Sequence, residues 1–269
     1  MSRDRLARSL VAAMVVLGGC SGLVGGGSDR GTVTPAPVPT AGETYPPGVS
    51  EGSVEPAVLG KAHSRFLART SYTVVSRQRI SGADGTLRWT NRTRRVAAGG
   101  DAYAGWFNRT VVDFPAGTLP VTLEYWTNGS VHATRRFVGD EPTFYGWANA
   151  PSPIEGVDGS RVLVSTLRAV RVGVVDRPSG VVLVGSALRR PGLLPTPPYV
   201  TDLRNVSLTA RVREDGVVTR WRIAYDATVK NRTVRVVRRT VVTGVGNTTV
   251  RRPDWIDTAR RWEQVHDRE

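Results

Sequence analysis

Cysteine is all but missing from this chain: Cys20 is the only one in 269 residues. No intramolecular disulfide can form, so a folded domain here has to be held by its own core. Histidine is scarce as well. His63, His132 and His266 lie far apart, with no H-E-x-x-H and no second cysteine, so no metal set is expected. The glycine-rich phosphate loops of nucleotide enzymes are absent, and Ser186 in "VGSAL" lacks the second glycine of a nucleophile elbow. Acidic residues gather in "GDE" and "REDG", where turn chemistry accounts for them. These absences leave no catalytic constellation, and the expectation is a non-enzymatic protein without a cofactor.

Long apolar runs are missing too. The longest, from Leu10 to Gly19, spans ten residues, about half of what a membrane-spanning helix needs. It follows Arg3, Arg5 and Arg8 and ends in small residues, which is the layout of a secretory signal peptide. Leu17-Gly18-Gly19-Cys20 resembles the lipobox of lipoproteins, in which the cysteine becomes the lipidated mature N-terminus. Cys20 has no core to enter at this position, so the resemblance implies a lipid anchor there. The stretch from Ser21 to Pro47 is Gly-rich, then Thr- and Pro-rich, a composition that behaves as a tether. The expected organisation is a signal peptide over 1–19, a lipidated cysteine and linker over 20–47, and a single domain over 48–269.

Lysine is nearly absent, but positive charge is not. Only Lys61 and Lys230 are lysines among 37 basic residues, so 35 are arginines, and the formal charge is +14. Removal of three arginines and Asp4 with the signal would take +14 to +12. No nucleic-acid module accompanies this charge, so nucleic acid is not the expected partner. Runs such as "RTRR" and "VRVVRRT" read as arginines on the solvent face of strands.

Past the linker, "VEPAVLGKAHSRFLART" predicts a helix. Pro56 suits its first turn, Val58, Ala62 and Phe66 form a stripe widened by Leu59 and Leu67, and His63 falls at the stripe's edge. After Thr70 the period changes to two. "SYTVVSRQRI", "TLRWTNRTRRVAA", "DAYAGWFNRTVV" and a hairpin about Asn128-Gly129 follow, and "GDEP" turns into "TFYGWA". "SRVLVSTLRAV" suggests a second helix and "VRVGVVDRPSGVVLVGSAL" a hairpin. The meander "NVSLTARVR", "VVTRWRIAYDATV", "TVRVVRRTVVTGV" is the longest β stretch, and "PDWIDTARRWEQV" reads as a short final helix. The fold class expected is α+β: a large curved antiparallel sheet, a half-barrel, packed on one or two helices.

Two residue sets are candidates for function. Sequons occur at Asn91, Asn108, Asn128, Asn205, Asn231 and Asn247, and in an exported chain these are candidate glycan acceptors. Asn128 and Asn231, in expected hairpin turns, are the better placed. Trp89, Trp106, Tyr125, Trp126, Tyr145 and Trp147 are candidates to line the concavity of the sheet, as a pocket for an apolar, lipid-like ligand.

"LGGC" at 17–20, "YPPGVSEGSVEPAVLGKAH" at 45–63, "TSYTV" at 70–74, "YWTNGS" at 125–130, "EDGVVTRWRIAYDATV" at 214–229 and "VGNTTVRRPDWIDTA" at 245–259 resemble a family of haloarchaeal surface lipoproteins. The expected architecture is similar to lipoprotein-sorting carriers and mycobacterial lipid-carrying lipoproteins, which wrap a half-barrel over helices around an apolar cavity. The resemblance implies a protein on the outer face of the cytoplasmic membrane that carries a lipid-like ligand. The alternative is an envelope interaction module with a filled core. Its basic surface would meet an acidic envelope protein or anionic lipid.

Overall fold

The computed structural model describes residues 45–112, 120–149, 156–177 and 180–266, all within one compact unit from Glu43 to Glu269. Cys20 and the tether up to residue 44 lie outside the described residues, whereas the tether's expected last residues, 45–47, belong to the folded unit, Tyr45 packing against the main core. A two-stranded ribbon, β1 (Val49–Ser50) and β2 (Ser53–Val54), leads into helix α1 (Pro56–Leu67). Strands β3 (Tyr72–Gly82), β4 (Gly85–Val96), β5 (Ala102–Val111), β6 (Val121–Asn128), β7 (His132–Val138) and β8 (Glu141–Ala148) follow. Helix α2 (Ser160–Ala169) precedes β9 (Val170–Arg177), β10 (Gly180–Leu188), β11 (Thr201–Val212), β12 (Val218–Val229) and β13 (Arg232–Thr243), and α3 (Ile256–His266) ends the described chain. The class is α+β, and most of the structure is antiparallel sheet.

Eleven strands form one open sheet in the order β8-β7-β6-β5-β4-β3-β13-β12-β11-β10-β9, every neighbouring pair antiparallel. Short hairpins generate most of this order. Lys230 and Asn231, both at positive φ, make the tight turn between β12 and β13, a conformation asparagine tolerates better than most residues. One pairing is not local. β3 lies against β13, so Gln78 faces Arg238 across 160 residues of chain, and this seam joins the early strands to the late meander.

The helices cover both faces rather than one. α1 and α2 pack together on one side, and Leu59, Leu67, Leu163 and Leu167 join Val74, Ile80, Leu208, Ile223 and Val236 in the main core. α3 sits on the opposite side, over β7 and β8, where Trp255, Ile256 and Ala259 close on Trp126 and Ala133. Where one or two helices were expected, the structure has three, and the third lies on the face opposite the other two.

The buried stripe of α1 is also rotated from the expected one. Leu59, Gly60, His63 and Leu67 are buried, whereas Val58 is 44% exposed. The cause is the close approach of α2. A Cβ on Gly60 would lie 2.3 Å from Val164 Cγ2, so α1 turns its glycine, and with it His63, towards the neighbouring helix. His63 is a core residue and not a boundary one. Its Nδ1 accepts from the Val218 backbone N–H at 3.2 Å, and its Nε2 lies 3.3 Å from the Asp158 carbonyl.

A candidate anion site on the helical face

Strand register decides which side chains meet beneath α1 and α2. Ser76, Gln78 and Ile80 of β3 pair with Arg92, Thr90 and Arg88 of β4, and Gln78 also pairs with Arg238 of β13. Side chains alternate across a sheet, so Arg88, Arg92 and Arg94 share one face with Arg238. That is the face carrying the main core. Between it and the first turn of α2 lies a cleft of about 380 Å³, at the small end of ligand clefts. Val74, Phe107, Val162, Pro195 and Trp221 supply apolar wall, and Arg88, Arg92, Arg94, Arg109 and Arg238 supply charge.

No carboxylate lines the cleft among the described residues. Arg88, Arg94 and Arg238 are held instead by neutral groups. Arg88 Nη1 donates to the Tyr199 hydroxyl. Arg94 Nη1 donates to the Val157 carbonyl at 2.9 Å and the Gly156 carbonyl at 3.2 Å. Arg238 Nη2 donates to Gln78 Oε1 at 2.8 Å and the Pro195 carbonyl at 3.1 Å. The Arg92 guanidinium lies over the Phe107 ring, 4.8 Å from its centroid. Asp158 closes the N-terminus of α2: its carboxylate accepts the Ser160 backbone N–H at 3.0 Å and the Ser64 and Ser160 hydroxyls at 2.5 and 2.8 Å.

These contacts fix the orientation of the side chains and leave their charge uncancelled. Burial first, and then Arg94 and Arg238, pull the Arg92 guanidinium below the ordinary arginine range. Burial and Arg88 do the same to Arg238 and to Arg109. Arg92 and Arg94 are same-face neighbours two residues apart on a strand, roughly 7 Å. At an effective dielectric near 20 two such charges repel by about 2 kcal/mol. The nearby phenols bring no negative charge: burial pushes Tyr225 up to about 12 and raises Tyr72 as well. Donors are also in excess. Arg88 Nε, Arg94 Nε, the Thr90 hydroxyl and the Trp221 indole nitrogen are buried without a hydrogen-bond partner, although such atoms ordinarily find one.

The expected apolar lining is divided between the two faces. Tyr125 is on the cleft face, its ring packed over Gly105, where a Cβ would meet it at 2.2 Å. Trp126, the next residue, necessarily points the other way and joins Tyr145, Trp147 and Trp255 under α3. Trp106 borders a separate cavity on that side, about 460 Å³, with Arg95, Glu124, Arg252 and Trp255. Trp89 is 38% exposed. The six aromatics therefore do not share one lining.

The arginine runs divide in the same way. In "RTRR", Arg92 and Arg94 face the cleft and Arg95 the opposite side. In "VRVVRRT", Arg238 faces the cleft, while Arg239 stands between Arg222 and Arg77 in a cross-strand row on the exposed face. A shallow depression of about 660 Å³ there is lined by Arg177, Arg211, Arg220, Arg222 and Arg239.

Among the sequons, Asn128, Asn205, Asn231 and Asn247 are exposed, and Asn91 and Asn108 are half-buried on strands. Asn108 Nδ2 donates to Thr122 Oγ1 and Asn205 Nδ2 to Asp226, both at 2.8 Å. Asn128 uses only its oxygen, accepting from the backbone N–H groups of Ser130 and Val131, and leaves its amide nitrogen outward. Among the described residues no group of three or more His, Cys, Asp or Glu side chains gathers as for a metal, and no helix is long and apolar enough to cross a membrane.

Fold and site together define an α+β domain with a cationic cleft on its helical face. Comparison with protein-family models and with curated proteins finds no match for this chain.

Proposed function

We propose that this is a non-enzymatic surface lipoprotein, anchored through Cys20 on the outer face of the cytoplasmic membrane, whose domain binds a ligand in the cleft beneath α2. The observation that carries the reading is the cleft itself: a space of about 380 Å³ between the sheet and the start of α2, walled by both apolar and cationic side chains. A purely apolar ligand would enclose arginine charge without a partner, at a large desolvation cost. The ligand is therefore amphiphilic, lipid-like along Phe107, Val162 and Trp221 and anionic towards the arginines. The test is to purify the full chain from membranes in mild detergent and analyse its organic extract by mass spectrometry. One bound amphiphile per chain supports the reading. A stable chain with an empty cleft, which takes up no added amphiphile, overturns it.

A second reading, an envelope interaction module, is favoured by the exposed row Arg222–Arg239–Arg77. Like charges directly opposite one another destabilise a sheet, and an acidic partner on that face would relieve the cost.

A further inference from the structure

The cleft has an anion's requirements on every side. Three guanidiniums come from one strand, β4, and a fourth from β13, two strands away across β3. Arginines that serve only to staple a fold are usually matched by carboxylates. Here each hydrogen bond recorded for Arg88, Arg94 and Arg238 goes to a neutral oxygen and uses a single terminal nitrogen. The rest of each donor fork stays available. Gly159 and Val162, at the start of the ten-residue helix α2, border the same space, but the Asp158 carboxylate already accepts the Ser160 N–H there, so the donors left to an anion are the guanidiniums and the Trp221 indole N–H. The acceptors among the lining side chains are few: Gln78, which already receives Arg238, and the hydroxyls of Ser76, Thr90 and Thr240.

We infer that the polar end of the ligand is a phosphate-type oxyanion, a phosphoryl group seated among Arg88, Arg92, Arg94 and Arg238. The inference rests on the reading that the ligand occupies this cleft. A carboxylate presents two oxygens in one plane and satisfies a single fork. A tetrahedral dianion presents three, and so can accept from the β4 and β13 arginines together. Its double charge also offsets more of the mutual repulsion that links Arg94 to Arg92, Arg92 to Arg238, and Arg238 to Arg88. The volume suits a head group with the first part of a chain, so a longer lipid would leave its tail outside. The source is either a phospholipid of the monoester type or a free phosphate compound.

Calorimetric titration of the full chain in a non-ionic detergent tests this. The probes are inorganic phosphate, a dihexanoyl phosphatidic acid, the uncharged dihexanoyl glycerol and, as a salt control, chloride at equal ionic strength. Saturable binding of phosphatidic acid, one per chain, is expected, with weaker or no binding of the glycerol. If inorganic phosphate competes at similar affinity the source is a free phosphate compound; if it does not, the source is a lipid head group. Both results support the oxyanion. Arg92→Met should weaken the phosphate ligand at least about tenfold while the empty protein melts at the same or a higher temperature, because a repelled charge has been removed. Arg239→Thr, on the opposite face, should leave binding unchanged. Equal binding of the uncharged glycerol and phosphatidic acid, unaffected by Arg92→Met, overturns the oxyanion and keeps the cleft as the binding site. Binding of none of the probes overturns both. A lower melting temperature in Arg92→Met with unaltered phosphate affinity would mark that arginine as structural and also defeat the inference.

Discussion

Acidification should cost the folded protein stability through His63. Its imidazole is fully buried, and burial holds its pKa below the ordinary 6.5, with Asp158 pulling weakly the other way. Nδ1 must keep its lone pair to accept the Val218 N–H, and a proton there would set two donors against each other. Below pH 6.5 the unfolded chain binds a proton at this residue that the folded chain excludes. Stability is therefore complete above 6.5 and falls as pH drops beneath it, at up to about 1.4 kcal/mol per pH unit until the folded-state pKa is reached. Between pH 7.5 and pH 5.0 the loss cannot exceed roughly 2 kcal/mol, the limit set by the 1.5 pH units below 6.5. His63→Leu removes this dependence but strands the Val218 N–H and the Asp158 carbonyl, costing about 1–3 kcal/mol for each group left unpaired. Urea unfolding of both proteins should show the variant less stable at pH 7.5 and the gap narrower at pH 5.0. His132, also lowered by burial but half-exposed, titrates in both proteins and cancels in the difference. A gap of constant size across this range would refute a neutral, doubly bonded His63.

Other expectations follow from single contacts. Gly60→Ala places a methyl 2.3 Å from Val164 Cγ2 and should destabilise by roughly 1–3 kcal/mol; the double variant with Val164→Ala should recover most of this in denaturant unfolding, and a neutral Gly60→Ala would contradict the α1–α2 packing. Arg239→Thr removes the middle charge of the Arg222–Arg239–Arg77 row and should raise stability by roughly 0.2–1 kcal/mol, a gain that shrinks in 1 M salt. Cys20→Ser should move the protein from the membrane fraction to the medium or arrest its maturation, and unchanged membrane retention would defeat the anchor.

Much of the fold was readable because it is local. α1 begins at Pro56, the Asn128-Gly129 and Lys230-Asn231 turns close hairpins, and a change of period at Thr70 marks the first long strand. The seam between β3 and β13 was not readable, since nothing in either strand's composition names a partner 160 residues away. The candidate site was illegible for a related reason. β4 carries arginine on both faces, Arg88, Arg92 and Arg94 on one and Arg95 on the other, so polar–apolar alternation cannot say which side is enclosed. The aromatic reading failed on arithmetic visible beforehand: Tyr125 and Trp126 are adjacent on a strand and cannot line one wall.

The excess of arginine thus divides into two populations that salt should separate. The row through Arg222, Arg239 and Arg77 is exposed. Its attraction to an acidic partner acts through solvent, where the screening length is about 8 Å at physiological ionic strength and about 3 Å at 1 M. Arg92 and Arg238 are half-buried, and an anion seated among them sits inside that distance, bound by direct hydrogen bonds as well as by charge. Raising salt from 0.15 to 1 M should therefore abolish association through the exposed face while cleft binding retains a measurable affinity. A cleft ligand lost as steeply as the surface association would mean that its contacts are long-range, and that the guanidiniums beneath α2 do not touch it.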